Sequence, residues 1–364
     1  LRGFTTRYTH DGAYALIDRQ GALCGNINYA TGKFWASEHA VVATPKVAVE
    51  TQWLGELMRA MNLNQYSVSA AQPGLSVEIV GNLRIPVPPA PEQSTITTFL
   101  DRETAKIDAL VAEQEKLIDL LKEKRQAVIS HAVTKGLDPS VPMKDSGVEW
   151  LGEVPAHWEI RRIKHLAETL EQGWSPQCES FPVQSDDEWG VLKVGCVNGG
   201  AFRPEENKAL PAELEPAPEL GIAAGDLLIS RANTRELVGC AAVALQDYPR
   251  LMLCDKLYRI RLRPDTCEPV FAALYLSTAW VRSQIELAAT GASSSMLNIG
   301  QSAVLELEFA IPPLTEQQQV LEMAADAMAK ADSLTLEAQS AITLLQERRS
   351  ALISAAVTGQ IDVR

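Results

Sequence analysis

A long stretch of this chain occurs twice. Glu92-Gln93 recurs at Glu316-Gln317, an offset of 224 (316 minus 92). The same offset holds without a gap for Lys106/Lys330, Asp108/Asp332, Leu110/Leu334, Leu121/Leu345, Glu123/Glu347, Arg125/Arg349, Ala127/Ala351, Ile129/Ile353, Ser130/Ser354 and Val133-Thr134/Val357-Thr358. Each copy is introduced by an Ile-Pro element, Ile85-Pro86-Val87-Pro88-Pro89 and Ile311-Pro312-Pro313. Self-similarity at one fixed spacing is the signature of a duplicated structural unit, and it limits the fold more than composition does.

Both copies have the pattern of a long helix. The paired prolines exclude helix upstream, and Glu92 and Glu316 suit a helix N-terminus, where partial positive charge gathers. Apolar residues follow at steps of three and four, with Leu100, Ile107, Leu110, Leu117, Leu121 and Val128 in the first copy. The second gives Val320, Ala327, Leu334, Ala341, Leu345 and Leu352. This is a coiled-coil seam, interrupted by Gln114. Lys135-Gly136 and Gly359 supply the stops. At 1.5 Å per residue each copy would reach roughly 60 Å. An apolar stripe of that length needs cover, so the two copies are expected to pack as an antiparallel pair; the alternative is that each packs on its own globular neighbour. Glu113, Lys116, Lys122 and Lys124 beside the seam fit a solvated face.

Four segments follow: 1–84 globular, 85–140 turn and long helix, 141–310 globular, and 311–364 second helix. The later globular segment has strand-like runs at Val191–Val194, Asp226–Ser230 and Leu257–Leu262, and a helix over 271–287 after Pro269. Leu274, Trp280 and Ile285 are expected on that helix's buried side. The first segment echoes the second, Gly12 to Arg19 matching Gly225 to Arg231 and Leu75 matching Leu297. With Gly12 equated to Gly225, the first segment is expected to lack about 65 residues at its front. The chain also begins with Leu1 rather than Met.

Composition narrows the function. The formal charge is −13. Lys and Arg grip phosphates, so this deficit argues against a protein that wraps DNA unaided. The six cysteines form no CxxC pair and have no His at zinc-finger spacing, so reduced, mostly buried thiols are expected and no metal. No apolar run approaches a bilayer span and no secretory h-region opens the sequence, so a soluble, cytoplasmic protein without membrane contact is expected. The sequence carries no recognisable catalytic motif. There is no GxxxxGK[ST] loop, and Gly199-Gly200 alone carries nothing. Glu113-Gln114-Glu115-Lys116 falls in the coiled coil, and Ser293-Ser294-Ser295 has no nearby His. His131, His157 and His165 are isolated.

The segments Ile85-Pro86-Val87-Pro88-Pro89-Ala90-Pro91-Glu92-Gln93 and Asp145-Ser146-Gly147-Val148-Glu149-Trp150-Leu151-Gly152-Glu153-Val154-Pro155-Ala156-His157-Trp158 resemble the conserved regions of type I restriction enzyme specificity (S, HsdS) subunits. So do the helix ends from Lys124 to Ser130 and from Arg348 to Gly359. The resemblance implies an α+β fold: two globular α/β target recognition domains separated by two long conserved helices forming an antiparallel coiled coil. It implies a non-catalytic subunit of a methyltransferase and endonuclease complex that reads a bipartite site in double-stranded DNA. Methyltransferase (M) subunits would dock on it and restriction-motor (R) subunits would join. S-adenosylmethionine, ATP and Mg would belong to those partners, with no cofactor in this chain. No Asn/Asp-Pro-Pro-aromatic methyltransferase motif is present.

Base edges are read by Arg, Asn, Gln, Ser and Thr on loops projecting from a rigid core. In the second domain these are Asn198, Arg231, Asn233, Thr234 and Arg235, with Ser293, Ser294, Ser295 and Asn298 in another polar loop. Lys193 and Arg203 are candidates for phosphates. In the first domain Arg19, Gln20, Asn26 and Asn28 occupy the loop equivalent to Arg231–Arg235. Such loops also occur in domains that bind no DNA, and Arg231 has Glu236 and Asp226 as structural partners. Two other functions stay open: a half-specificity subunit that self-pairs on a symmetric site or serves as a silent recombination cassette, and a protein-only coiled-coil adaptor.

Overall fold

A computed structural model describes residues 6–67, 74–293 and 296–363. The chain forms two compact units. Unit 1 comprises Leu1–Asp119 with Leu334–Arg364, and unit 2 is Leu120–Ser333. In unit 1 the strands β1 (Tyr14–Asp18), β2 (Ile27–Ala30) and β3 (Ala40–Ala43) precede helix α1 (Thr51–Ala60). Helix α2 (Ala90–Lys135) passes from unit 1 into unit 2. Unit 2 continues with β4 (Glu159–Arg162), β5 (Ala167–Gln172), β6 (Leu227–Ser230), β7 (Ala232–Asn233), β8 (Ala241–Val243) and β9 (Leu257–Leu262). Then come α3 (Pro269–Leu276), α4 (Ala279–Ala288), β10 (Met296–Asn298), β11 (Glu308–Ile311) and α5 (Leu314–Val357), which returns to unit 1.

The repeat is the two long helices, 46 and 44 residues long. Gly136 and Gly359, both at positive φ, follow their ends. Within unit 1, Ile96 and Leu100 pack with Ile353, Ala356 and Val357, and Arg349 Nε bonds Asp108 Oδ1 at 2.8 Å. As α2 advances α5 recedes, so the two run antiparallel. Unit 2 repeats the arrangement 224 positions away. Arg125 Nη1 bonds Asp332 Oδ1 at 3.0 Å, and Ile129 and Val133 share a core with Val320 and Ala324. These partly exposed ion pairs are worth little in energy, about 0–1 kcal/mol each, but they register the helices.

Three leucines expected in the seam lie outside it. Leu110, Leu117 and Leu334 are exposed at 44%, 41% and 46%. The inward face of α2 instead carries Ile107, Val111, Gln114, Ile118, Leu121, Arg125 and Val128, at strict four-three steps. In α5 it carries Ala331, Thr335, Ala338, Ile342, Leu345, Arg349 and Leu352, the same positions plus 224. Leucine at the neighbouring positions had masked the heptad, because a 3.6-residue helix puts adjacent apolar residues on both sides of a seam.

The central sheet of unit 2 has the order β8-β6-β9-β5, all antiparallel. Alternation sends Leu227, Ile229, Tyr258 and Ile260 toward α3, and Leu228, Ala242 and Leu257 toward a second four-stranded sheet. That sheet contains Gly190–Leu192 and Tyr248–Met252 as parallel neighbours. The expected strand through Val194 stops at Leu192, where the chain turns into a 3-10 helix, Val194–Val197. The expected helix over 271–287 is two helices broken at Ser277-Thr278, and Trp280 is 58% exposed while Ile285 is buried. Buried Thr278 Oγ1 donates to Tyr275 O at 2.8 Å, closing the first helix before the second begins.

Unit 1 has the order β2-β1-β3, which corresponds to β8-β6-β9. Among the described residues it has no fourth strand beside β3, and in place of a second four-stranded sheet it has the two-stranded pair His10–Asp11 with Lys33–Phe34. Its central strand accordingly buries one face, Ala15 and Ile17. A buried glutamine joins each sheet domain to its helix. Gln93 Oε1 accepts from Glu50 N at 2.8 Å and its Nε2 donates to Pro88 O at 2.8 Å. Gln317 Oε1 accepts from Glu268 N at 2.8 Å and its Nε2 donates to Pro312 O and Thr266 O. Glu50 and Glu268 stand just before α1 and α3, so one amide fixes a helix start, a Pro-Pro turn and the long helix together.

Replacing Gln317 with Leu would leave buried N–H and C=O groups unpaired at up to three points. A loss of about 2–4 kcal/mol is expected in urea denaturation of unit 2. Gln93→Leu should cost unit 1 a similar amount, and an unchanged midpoint for both would refute this role.

Candidate nucleic-acid interface

The same loop leaves the central strand of each sheet. In unit 1, Asp18 N donates to Asn26 O at 2.9 Å, and Gly25 N to Asp18 O at 2.7 Å. Arg19 N donates to His39 O at 2.8 Å, and Leu75 N to Arg19 O at 2.9 Å. In unit 2 the corresponding bonds are Ser230 N to Cys240 O at 2.8 Å, Gly239 N to Ser230 O at 2.7 Å, Arg231 N to Lys256 O at 2.8 Å, and Ile299 N to Arg231 O at 3.0 Å. Four shared backbone bonds make Arg19 and Arg231 equivalent, and they pair Leu75 with Ile299 rather than with Leu297. Gly25 and Gly239 close the two loops at φ +88° and +74°. A Cβ at Gly25 would lie 2.5 Å from Asn64 N, so this position accepts glycine alone.

Around Arg231 the structure gathers several of the expected residues. Arg231 is half-buried and its Nη1 donates to Asp255 O at 3.2 Å. Asp226 is committed elsewhere: buried at 1% exposure, it holds Arg261 at 2.8 Å and lies 3.6 Å from buried Arg259, which also pairs with Glu171. Asn233 Nδ2 reaches Asn198 Oδ1 and Ser230 Oγ, each at 3.4 Å, and its Oδ1 accepts from Thr234 N at 2.9 Å. Asn298 sits opposite Ala232 in the β7–β10 pair. Arg235 is exposed at the loop tip.

Lys193 and Arg203 lie on the adjoining segment. Lys193 is 3.8 Å from Glu206, and Arg203 Nη2 donates to Gly195 O at 2.8 Å, so Arg203 has a local structural bond. Ser293 ends the strand Thr290–Ser293, while Ser294 and Ser295 lie outside the described residues. In unit 1, Gln20 Oε1 meets His39 Nδ1 at 2.8 Å. Asn26 ends the loop that Arg19 and Gln20 begin, whereas Asn28 lies outside it. Asn26 directly precedes β2 and Asn28 lies within it, its Nδ2 donating to Asp18 Oδ2 at 3.0 Å. Both line a polar cleft of about 480 Å³ with Arg59, Asn62 and Asn64.

Sequence reading missed Lys256, His39, Asn62, Asn64 and Trp174. Lys256 is exposed and supports Arg231 through its carbonyl. Trp174 is 40% exposed beside the same turn, where Ser175 Oγ donates to Asp255 Oδ1 at 2.5 Å. The Asp255-Lys256 turn between two apolar strands was a usable signal, but its meeting with the Arg231 loop requires the β6–β9 pairing.

The type I restriction modification DNA specificity domain matches residues 3–119. The EcoKI specificity subunit of Escherichia coli is 24% identical over 286 residues, covering 78% of this chain and 58% of that protein. The EcoEI specificity subunit of Escherichia coli is 28% identical over 242 residues, covering 66% of this chain and 40% of that protein. The chain is thus similar to type I restriction enzyme specificity subunits, and its residues 3–119 match their DNA specificity domain. Its matches span less than two thirds of the length of these curated relatives. The fold of the chain resembles two solved structures. A chain from a study of complex assembly and conformational transition of the type I R-M system gives a TM-score of 0.70 at 16% identity, covering 95% of this chain and 82% of that one. The HsdS subunit from Thermoanaerobacter tengcongensis gives 0.54 at 17% identity, covering 97% and 82%.

Among the described residues no group of His, Cys, Asp and Glu is arranged to hold a metal, and no helix is long and apolar enough to cross a membrane. The cysteines are free, four of the six fully buried. Burial pushes the thiols of Cys254 and Cys267 up to about 12, and that of Cys196 further. At pH 8 these three should therefore resist alkylation in the folded chain and react fully in denaturant, as read by peptide mass spectrometry. Rapid labelling of Cys196 in the native chain would contradict the packing described.

Proposed function

We propose that this chain is the DNA-reading subunit of a type I restriction–modification complex, with Arg19 and Arg231 each heading the recognition of one half of a bipartite site in double-stranded DNA. The observation that carries this is the duplicated loop, held by four corresponding backbone bonds in both units, in a chain similar to type I specificity subunits. Arg offers a bidentate donor pair to guanine, and Asn233 with Asn198 offers the donor and acceptor that adenine takes. Arg235 and Lys256 are exposed cations suited to the flanking phosphates, and Lys193 is a half-buried one.

The chain acts in the cytoplasm without catalysis of its own. Methyltransferase subunits bring S-adenosylmethionine, and restriction-motor subunits bring ATP and Mg. The net charge of −13 fits this division, because the partners then supply much of the phosphate grip. Leu110, Leu117 and Leu334, on the outer faces of the long helices, give those partners an apolar surface.

The test is co-purification with a methyltransferase subunit, methylation of a random DNA library and mapping of modified adenines. A split, asymmetric site is expected. Arg231→Ala should relax one half of it and Arg19→Ala the other, each by about 1–3 kcal/mol of discrimination at one base pair. A site unchanged in both variants would remove these arginines from base reading. A palindromic split site would mean that two copies pair through unit 2.

A further inference from the structure

The recognition loop of unit 2 runs from Arg231 to Gly239 and is fixed at both ends by backbone bonds. Between those ends it bends back at Arg235, with Thr234 O accepting from Leu237 N at 3.1 Å and from Val238 N at 2.8 Å. The Glu236 carboxylate folds onto its own N–H and the Thr234 hydroxyl, which hold it below the usual carboxylate range. Arg235 is left as the exposed cation of the tip. The return arm meets one side chain of α4. Arg282 Nη2 donates to Glu236 O at 3.1 Å and its Nη1 to Val238 O at 2.5 Å. Among the described residues Arg282 pairs with no carboxylate, so its fork of donors is committed to the backbone of the loop.

The seat of that guanidinium is itself packed. Arg282 lies in the first turn of α4, its N donating to Thr278 O at 2.9 Å, and its neighbours Val281 and Ile285 are buried. Gly239 closes the loop against the same helix, since a Cβ there would lie 2.5 Å from Ile285 Cγ2 and 3.2 Å from Arg282 Nη1. Just ahead of α4, Gln126 Nε2 of the long helix α2 donates to Ser277 O at 2.9 Å. The loop is thus referred to the long helix through α4. The corresponding loop of unit 1 has five residues between Arg19 and Gly25, against seven between Arg231 and Gly239, and Gly25 closes directly on the backbone of Asn64. The longer loop of unit 2 carries two carbonyls that need donors, and the guanidinium supplies them.

We propose that Arg282 is a positioning residue: by clasping the return arm it fixes the loop tip, so that Arg235 meets one phosphate and keeps the reading residues of unit 2 in register with their bases. Arg282 itself does not touch DNA. This rests on the reading of the Arg231 loop as the base-reading element of unit 2. Phosphate contacts carry no sequence information, but they set the register and orientation in which base contacts are made. A tip free to tilt lets Arg235 reach neighbouring phosphates equally well. The charge on the DNA is then still neutralised, while Arg231 and Asn233 lose their fixed alignment with the base edges.

The test uses the chain assembled with methyltransferase subunits and duplexes carrying the mapped site, or that site with one base pair changed in either half. Arg282→Met should lower discrimination about tenfold in the half that Arg231→Ala relaxes and leave the other half unchanged. The slope of log binding constant against log salt should stay as in the parent chain, whereas Arg235→Ala should reduce it by about one. In the Arg235→Ala background, Arg282→Met should add no further loss, because the two act as one unit. Arg282→Lys keeps the charge but spans one carbonyl, and should lose about two- to threefold; it decides the matter if Arg282→Met does not assemble. A reduced salt slope in Arg282→Met, additive losses, or full discrimination in Arg282→Lys would overturn the proposal. Relaxation by Arg231→Ala with neither Arg282 variant affected removes this proposal alone, and a site unchanged in Arg231→Ala removes the base reading and this proposal with it.

Discussion

The structure depends on covering the apolar stripe of two helices too long for either unit to cover alone. An exposed leucine forfeits about 1.5–3 kcal/mol relative to a buried one, so a stripe of this length cannot stay in water. Each helix is shared, with residues 90–119 of α2 and 334–357 of α5 in unit 1 and the remainder in unit 2. Each globular part is therefore attached to a helix pair rather than to a single helix. The core of unit 2 shows how far this goes: Ile129, Val133, Val320 and Ala324 belong to the same apolar cluster as Phe271 and Phe309. Helix register and sheet position are set by one packing problem.

From that attachment follows the precision of the loops. Arg19 and Arg231 are held at both their N–H and C=O groups, by different strands or strand neighbours. A backbone fixed on both sides places a side chain to within fractions of an ångström at its root without fixing the side chain itself. The glutamines Gln93 and Gln317 extend the same rigidity from the sheet domain to the long helix. The buried Arg259 with Glu171 and Asp226 does so between β9, β5 and the turn before β6.

The two units solve the same problem with different amounts of material. Unit 2 buries both faces of its central sheet, whereas the central strand of unit 1 buries one.

Much of this was written in the sequence. The offset of 224, the Pro-Pro turns and the glycine stops determine two long related helices, because periodicity and backbone restriction act locally. The correspondence of Arg19 with Arg231 was likewise legible from Gly12-to-Arg19 and Gly225-to-Arg231. Other features were not local. The seam fell on Val111 and Ile118 rather than Leu110 and Leu117, because only the partner helix decides which neighbouring apolar residue faces inward. Lys256 and Trp174 joined the Arg231 loop, and Asn26 and Asn28 joined a cleft with Asn62 and Asn64, through strand pairing and packing between residues distant in sequence. The sequence by itself determined the repeat, the helices and the type of side chain at each loop. Tertiary structure decided which side chains meet, because burial and hydrogen bonding depend on neighbours that the chain brings together only when folded.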